Sequence, residues 1–599
     1  MEGNQLKTNP RDCTGLMSLA VLAAMACLAG CTDSGSDDPN PTAEPTIRLV
    51  FSPSSVSFGE ERSRIVELEN TGNGAAGPVE LAALEVRDGG GNAVPGASLS
   101  VSPAAIPTLN AGASRELTLT LDVPPSASSG DYQVTLEARL DGQAEASLGT
   151  FFSVAATGPE IATLEITGGT SQARQGAVVD FAVSATDDQG QAVDDPAVTW
   201  RAEPPAAGLV TADGEFVAYA VGTTRIIASS GEVADTVEVE IEDRGAPSGS
   251  FQVVWHEPVV RRYTSDHWEH GDVAFTGTWG CRAVPGGQCG DALYVWDISA
   301  RDAPILVDSV KVDARVVNDV KVREDGTLAI ITHEGSNDGQ NGVTLLDLAD
   351  PLHPAIIARF SPPDLTPGVH NVWIDGDYAY LVVDGAIPTS GMRVLDISDP
   401  ANPEIVASFY GGGSFLHDVY VRDGLAFLSH WTTGMIILDV GNGVAGGSPT
   451  SPVEVSRIAV PGYRVHNAWY WPESGYVFLG DEIAVPGRVL VVDVNVLAAP
   501  RQVASFTLPD AAPHNFWIDE TVGIAYFSWY ENGIQAVDVS GRLLGELDEQ
   551  GRKVASIQYD AGGACVAPSG TCSWAPQLHD GFIYVSDLNS GLWVLRTTF

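Results

Sequence analysis

Four histidines, His370, His417, His466 and His514, recur at spacings of 47, 49 and 48 residues, and each is followed by an amide or a carboxylate: Asn371, Asp418, Asn467 and Asn515. Imidazole works as an acid–base group near neutral pH and ligates divalent transition metals, so a regular set of this kind is the first place to look for chemistry. All 11 histidines of the chain lie beyond residue 250. If the four begin neighbouring strands around one opening, the residues that close the next strands reach the same rim, which adds His333, His430, Asp481 and Glu482. These eight residues are the candidate ligand or metal site. Two readings stand side by side. Two or three imidazoles with one rim carboxylate can hold a divalent metal at about 2.0 to 2.1 Å. Alternatively, each histidine is a strut that hydrogen-bonds backbone or an aspartate of the next repeat, such as Asp396, Asp439, Asp493 or Asp538. Repetition favours the strut. The equivalent positions of three further repeats hold Ser265, Asn318 and Trp574, however, and a purely structural residue should have recurred in all of them. On a regular strand, each histidine and its following residue point to opposite sides. No GxSxG or HExxH motif is present, and no catalytic residue is assigned.

The element that must position these histidines is a repeated phrase, most complete as GVHNVWIDGDYAYLVVDG followed by MRVLDISDPANPEIV. Each copy reads as four short strands, with Val, Ile, Tyr, Phe and Trp alternating with polar residues and Gly, Asp, Asn and Pro in the gaps. Four strands in a repeat of this length is the arithmetic of a β-propeller blade. The phrases ALYVWDISARDAPILVDS, VTLLDLADPLHPAIIARF and MRVLDISDPANPEIVASF resemble the LVIVD repeat family. That resemblance covers 251–599 and implies a secreted bacterial propeller without a single assigned chemistry. Seven copies are expected, and the last lacks an outer strand. The segment SFQVVWHEPV, just ahead of the first copy, has that character and no partner, so Phe251 to Trp255 should pair with Leu592 to Arg596 and close the ring.

Ahead of the repeats, Lys7 and Arg11 precede an apolar run from Leu16 to Leu28 that ends in LAGC. This resembles a lipoprotein signal: residues 1–30 would be removed and Cys31 would become the lipidated N-terminus. Residues 31–46 are a polar, proline-rich tether. With Thr32 directly after the cysteine and Asp33 one place later, the expected location is the outer membrane or cell surface. Residues 47–156 give about seven alternating segments and read as an Ig-like β-sandwich. Residues 157–243 resemble a bacterial Ig-like domain of group 2, with Trp200 in its core and Gly190, Gly214 and Gly222 at turns. Residues 244–250 are a linker. The expected fold class is all-β, a seven-bladed β-propeller preceded by two Ig-like β-sandwich domains.

A net charge of -46 argues against nucleic acid or an anionic lipid surface as partner. Once Cys13 and Cys27 leave with the signal and Cys31 takes lipid, Cys281 with Cys289 and Cys565 with Cys572 remain as two local pairs, expected as disulfides in an exported protein. The function that follows is a monomeric, lipid-anchored binding protein for a protein, glycan or ion. The alternative is a metal-dependent propeller enzyme, a hydrolase, lyase or oxidoreductase, with a divalent metal at the channel mouth.

Overall fold

The computed structural model describes residues 49–599 except 53–54, 59–62, 73, 85, 89–92, 95, 123–129, 141, 155–160, 246–247, 384, 386–388, 483–484 and 561–563. The signal-like segment 1–30, Cys31 and the tether to residue 46 lie outside the described residues. No helix among the described residues is long and apolar enough to cross a membrane. Two compact units divide at Arg244 and Gly245.

The first unit contains two sandwiches of β-sheets. In one, a sheet built on Ser63–Asn70 and Ser114–Asp122 faces a sheet built on Gly130–Leu140 and Gln143–Val154. Alternation explains the packing: Val66, Leu68, Leu117 and Leu119 from one sheet meet Leu136, Ala138 and Leu148 from the other, while their neighbours face solvent. Tyr132 is a buried strand residue stacked on Phe152 at 5.2 Å. In the second sandwich, Phe181, Phe216, Ile226, Ala228 and Val239 form the core, and Trp200 packs against its edge. Gly214 has φ of 82°, and a Cβ there would lie 2.4 Å from the Phe181 carbonyl oxygen, so no other residue fits.

The second unit, Gly245–Phe599, is built from seven small sheets among the described residues, antiparallel except where Gly545–Glu546 joins one edge in parallel. Six of them follow chain order, and the innermost strands of all seven are labelled here with the two strands that close the ring. The closing strand β1 (Phe251–Pro258) precedes β2 (Tyr263–His270), β3 (Val320–Val322), β4 (Val369–Asp375), β5 (Asp418–Arg422), β6 (Val465–Trp471), β7 (Phe516–Asp519) and β8 (Ser573–His579), and β9 (Gly591–Thr597) ends the chain's strands. Each innermost strand from β2 to β8 contacts the next, and β8 returns to β2, so the sheets form a closed, propeller-like ring. The seventh sheet runs β1, β9, Phe582–Asp587, β8: the spare strand ahead of the first repeat completes the last one, with Phe251 opposite Thr597 and Trp255 opposite Val594.

Burial explains the repeat's wording. Second and third strands, such as Leu328–His333 and Gly434–Asp439, are buried along their whole length because sheets cover both of their faces. They read as continuous apolar runs. Outer strands such as Ala355–Phe360 are largely exposed and tolerate Arg and Glu. Cys281–Cys289 and Cys565–Cys572 are disulfide-bonded, each within one loop.

Candidate functional site

The pairing register slips between Val369 and Val372 on β4, between Val465 and Ala468 on β6, between Thr264 and His267 on β2, and between Ser573 and Ala575 on β8. Such a bulge sets two residues against one and breaks the alternation. For His370 and His466, the expectation that each histidine and its follower point to opposite sides is therefore corrected. Both members of the His370–Asn371 pair approach the Asn318 side chain, whose Nδ2 lies 3.5 Å from His370 Nε2 and donates to Asn371 Oδ1 at 2.9 Å.

The four opening histidines form a continuous arc. Ring centroids are 4.7 Å apart for His370 and His417, 4.4 Å for His417 and His466, and 4.2 Å for His466 and His514, and Trp574 continues the row at 4.0 Å. Nδ1 of His417 donates to the His466 carbonyl at 3.1 Å, and Nδ1 of His514 donates to the Trp574 carbonyl at 2.8 Å. Nδ1 of His370 lies 2.7 Å from Glu334 Oε1. The backbone part of the strut reading is thus present. Its aspartate part is not: Asp396, Asp493 and Asp538 each accept an N–H from their own turns, at Ser398, Asn495 and Ser540, and Asp439 binds its own loop. Burial, reinforced by the neighbouring imidazoles, pushes His417 and His466 well below the usual histidine pKa and His514 down to about 3. All three are neutral, the form that binds metals.

Of the four rim candidates, Glu482 is the one that reaches the arc, which Glu334 also meets at His370. Glu482 Oε2 lies 3.8 Å from His466 Nε2, and its Oε1 accepts the Tyr530 hydroxyl. His417, His466 and Glu482 each offer a donor atom within 4.8 Å of the other two, and they are the one such cluster of three among the described residues. Burial pushes Glu482 up to about 7. The other rim residues go elsewhere. His333 neighbours Arg359, Asp313 and Asp338, with burial holding it down at about 3. His430 lies under the 411–414 loop, Nδ1 3.3 Å from the Ser414 carbonyl. Asp481 turns back to accept the Arg464 N–H at 2.7 Å, and burial raises it to about 7.

Further along the same strands, two more layers line the channel. The first is polar: Asn371 Nδ2 donates to Asp418 Oδ1 at 3.0 Å, Asn515 Nδ2 to Asp266 Oδ2 at 3.2 Å, and Lys321 Nζ to Asp319 Oδ1 at 2.5 Å. The second is a closed ring of aromatics. Trp268, Trp373, Tyr420, Trp469 and Trp517 follow one another at centroid distances of 6.0, 4.4, 5.4 and 4.9 Å, and Trp517 returns to Trp268 at 6.2 Å. Lys321 Nζ sits 5.0 Å from the Trp268 ring. The two layers line a narrow channel cavity bounded by residues such as Asp266, Asn371, Asp418 and Trp469. These aromatics were not singled out from sequence, although each stands three residues after its repeat's opening position, which was the signal available.

Residues 368–410 match the LVIVD repeat family, and residues 96–141, inside the first sandwich, match the NPCBM-associated, NEW3 domain of alpha-galactosidase. The chain is a propeller-like repeat protein of the all-β class. No curated protein matches it. Solved structures similar to it include the C-terminal WD40 domain of Sif2, at 11% identity and TM-score 0.38, covering 74% of this chain and 99% of that one. A putative 6-phosphogluconolactonase from Bacteroides uniformis, at 13% identity and TM-score 0.40, covers 52% of this chain and 88% of its own. The computationally designed Ika8 protein, at 11% identity and TM-score 0.37, covers 57% and 97%.

Proposed function

We propose that this protein is exported, lipid-anchored through Cys31 at the cell surface, and carries a seven-bladed β-propeller behind two Ig-like domains to bind a ligand at the propeller's channel mouth. The observation that carries the reading is the one-sidedness of that mouth. Four consecutive sheets present imidazoles there, and polar atoms beside them, Glu482 Oε2 and His466 Nδ1, make no hydrogen bond although buried. The channel beyond is filled by its own polar and aromatic layers. Neutral imidazoles, an unmatched carboxylate oxygen and aromatic rings gathered at one side of an opening are the kind of convergent polar groups that receive a ligand. The closed ring, the two intraloop disulfides and the LAGC box fit an exported protein. Among ligands, a galactose-containing glycan is the first to try, because the family matched by residues 96–141 is described for an alpha-galactosidase.

The test has two arms. Labelled palmitate should enter the wild-type protein and not Cys31→Ala, and protease added to intact cells should reach the propeller. A glycan array probed with the full-length protein should show binding that His514→Ala weakens. A protein that takes up no lipid and stays shielded in intact cells refutes the surface reading. A second reading is favoured by one feature: the His417, His466 and Glu482 donors would leave coordination positions open on a bound metal, as a metal-dependent hydrolase, lyase or oxidoreductase requires.

A further inference from the structure

We infer that His417, His466 and Glu482 form a binding site for one divalent transition-metal ion of the zinc class, built into the wall of the channel mouth. The inference stands on side-chain geometry and is independent of how the protein is anchored or what larger ligand it takes.

The donor set comes from two neighbouring sheets, which fixes it on rigid elements. His417 immediately precedes β5, His466 lies on β6, and Glu482 follows the strand Tyr476–Asp481 that pairs with β6. The His466 carbonyl can only accept, so Nδ1 of His417 carries the proton and its Nε2 is left with a lone pair. That is how proteins commonly prepare a metal-ligating imidazole. Glu482 is prepared in the same way: Tyr530 holds Oε1, while Oε2 has no hydrogen-bond partner and stands 3.8 Å from His466 Nε2.

Donors on a tetrahedral ion with bonds of 2.0 to 2.1 Å stand roughly 3.4 Å apart. The three donors lie within 4.8 Å of one another, so a side-chain adjustment of about 1 Å closes the set. Without an ion, the site is costly. A carboxyl group that is 5% exposed has one oxygen without a hydrogen-bond partner, enclosed beside two buried imidazoles. A dipositive ion removes that cost, satisfying the orphaned oxygen and taking the Nε2 lone pairs. Two imidazoles and one carboxylate suit zinc, cobalt, copper, iron or manganese, and discriminate against calcium and magnesium, which prefer all-oxygen shells.

The measurement uses tag-free, full-length protein stripped with chelator and then titrated with zinc, cobalt and calcium. Expected results are one zinc or cobalt per chain, a melting temperature several degrees higher on loading, and no effect of calcium at equal concentration. His466→Ala and Glu482→Gln should each lose at least tenfold in cobalt affinity, whereas His353→Ala, whose ring is exposed beside Asp308, should keep it. X-ray absorption on the zinc-loaded wild type should show two imidazoles and oxygen, a readout that does not depend on any variant folding. Failure to bind a stoichiometric transition metal overturns the inference. So does an absorption spectrum without two imidazoles, or full cobalt binding by folded Glu482→Gln.

Discussion

Val253, near the start of the ring of sheets, lies opposite Leu595, near the end of the chain, and the two belong to adjacent antiparallel strands of one sheet. The ring is therefore closed by backbone hydrogen bonds between its first and last strands. Side chains reinforce the seam: His256 stacks on Trp593 at 3.6 Å, and Trp255 meets Trp296 edge-on at 5.8 Å. Deleting residues 251–257 would expose the edge of β9 and remove both contacts. The expected outcome is a loss of more than about 4 kcal/mol, read as a large drop in calorimetric melting temperature. An unchanged melt would show that the ring does not depend on this strand.

The two disulfides make a separate prediction. Each closes a small ring within one loop, Cys281 to Cys289 and Cys565 to Cys572. Non-reducing peptide mapping should recover these two links and no crossed pair. Replacing Cys565 and Cys572 together by serine should cost about 2 to 3 kcal/mol, because a short loop confines the unfolded chain only modestly. Arg282, which donates to the Pro568 carbonyl at 2.7 Å, ties the two loops together, so Arg282→Ala should loosen both without breaking either bond. Protease sensitivity of the 565–572 loop is the readout.

Asp439 shows what the repeated LD phrase is for. Its two oxygens accept the N–H groups of Gly441, Gly443, Ala445 and Gly447, winding a glycine-rich loop around one carboxylate. Burial alone would raise its pKa, but these four donors outweigh it and hold the group well below the usual carboxylate range. A depressed folded-state pKa contributes stability that is complete above about pH 4 and is lost as pH falls further. Asp439→Ala should cost about 2 to 4 kcal/mol at pH 7, since it strands several N–H groups, and the deficit should shrink towards pH 2. A pH-independent deficit would contradict the ionised carboxylate.

How much of this was legible in the sequence follows from what each feature depends on. The sheets and their order were legible, because hydrophobic runs and turn residues recur with the period of a repeat and need no partner to be read. Pairing of Phe251 with the C-terminal strand was legible by the same logic, as one strand too many at one end and one too few at the other. The bulges at His370 and His466 were not, since a slip of one residue is decided by the partner strand. That slip brings His370 and Asn371 to the same neighbour, the Asn318 side chain. Selection of Glu482 from the rim was also hidden. Asp481 and Glu482 are adjacent in sequence, and their partners distinguish them: the Arg464 N–H takes Asp481, and Tyr530, from the next sheet, takes Glu482.

Lys321 is one of two places, with Gln577, where the aromatic pattern breaks, and it supplies the last prediction. It occupies the place that Trp373, Tyr420, Trp469 and Trp517 take in other sheets, 10% exposed, with Nζ 2.5 Å from Asp319 and 3.5 Å from Asp266. Burial raises the pKa of Asp319, with Lys321 opposing and Asp266 adding to the rise, while the two carboxylates hold Lys321 above its ordinary value. One ammonium thus serves two buried carboxylates. For Asp319, a folded-state pKa above the unfolded value of about 3.9 means that the folded protein binds the extra proton, so its contribution to stability falls as pH rises from about 4. Lys321→Met keeps the length of the side chain and removes the charge. It should cost about 3 to 5 kcal/mol near neutral pH, because both carboxylates lose their counter-ion in a buried channel. The penalty should be smaller at pH 4 than at pH 8, as protonation of Asp319 relieves it. Urea unfolding of wild type and variant across that range measures both quantities. A penalty that grows on acidification would mean that the carboxylates, and not the lysine, are the groups the channel was built to keep charged.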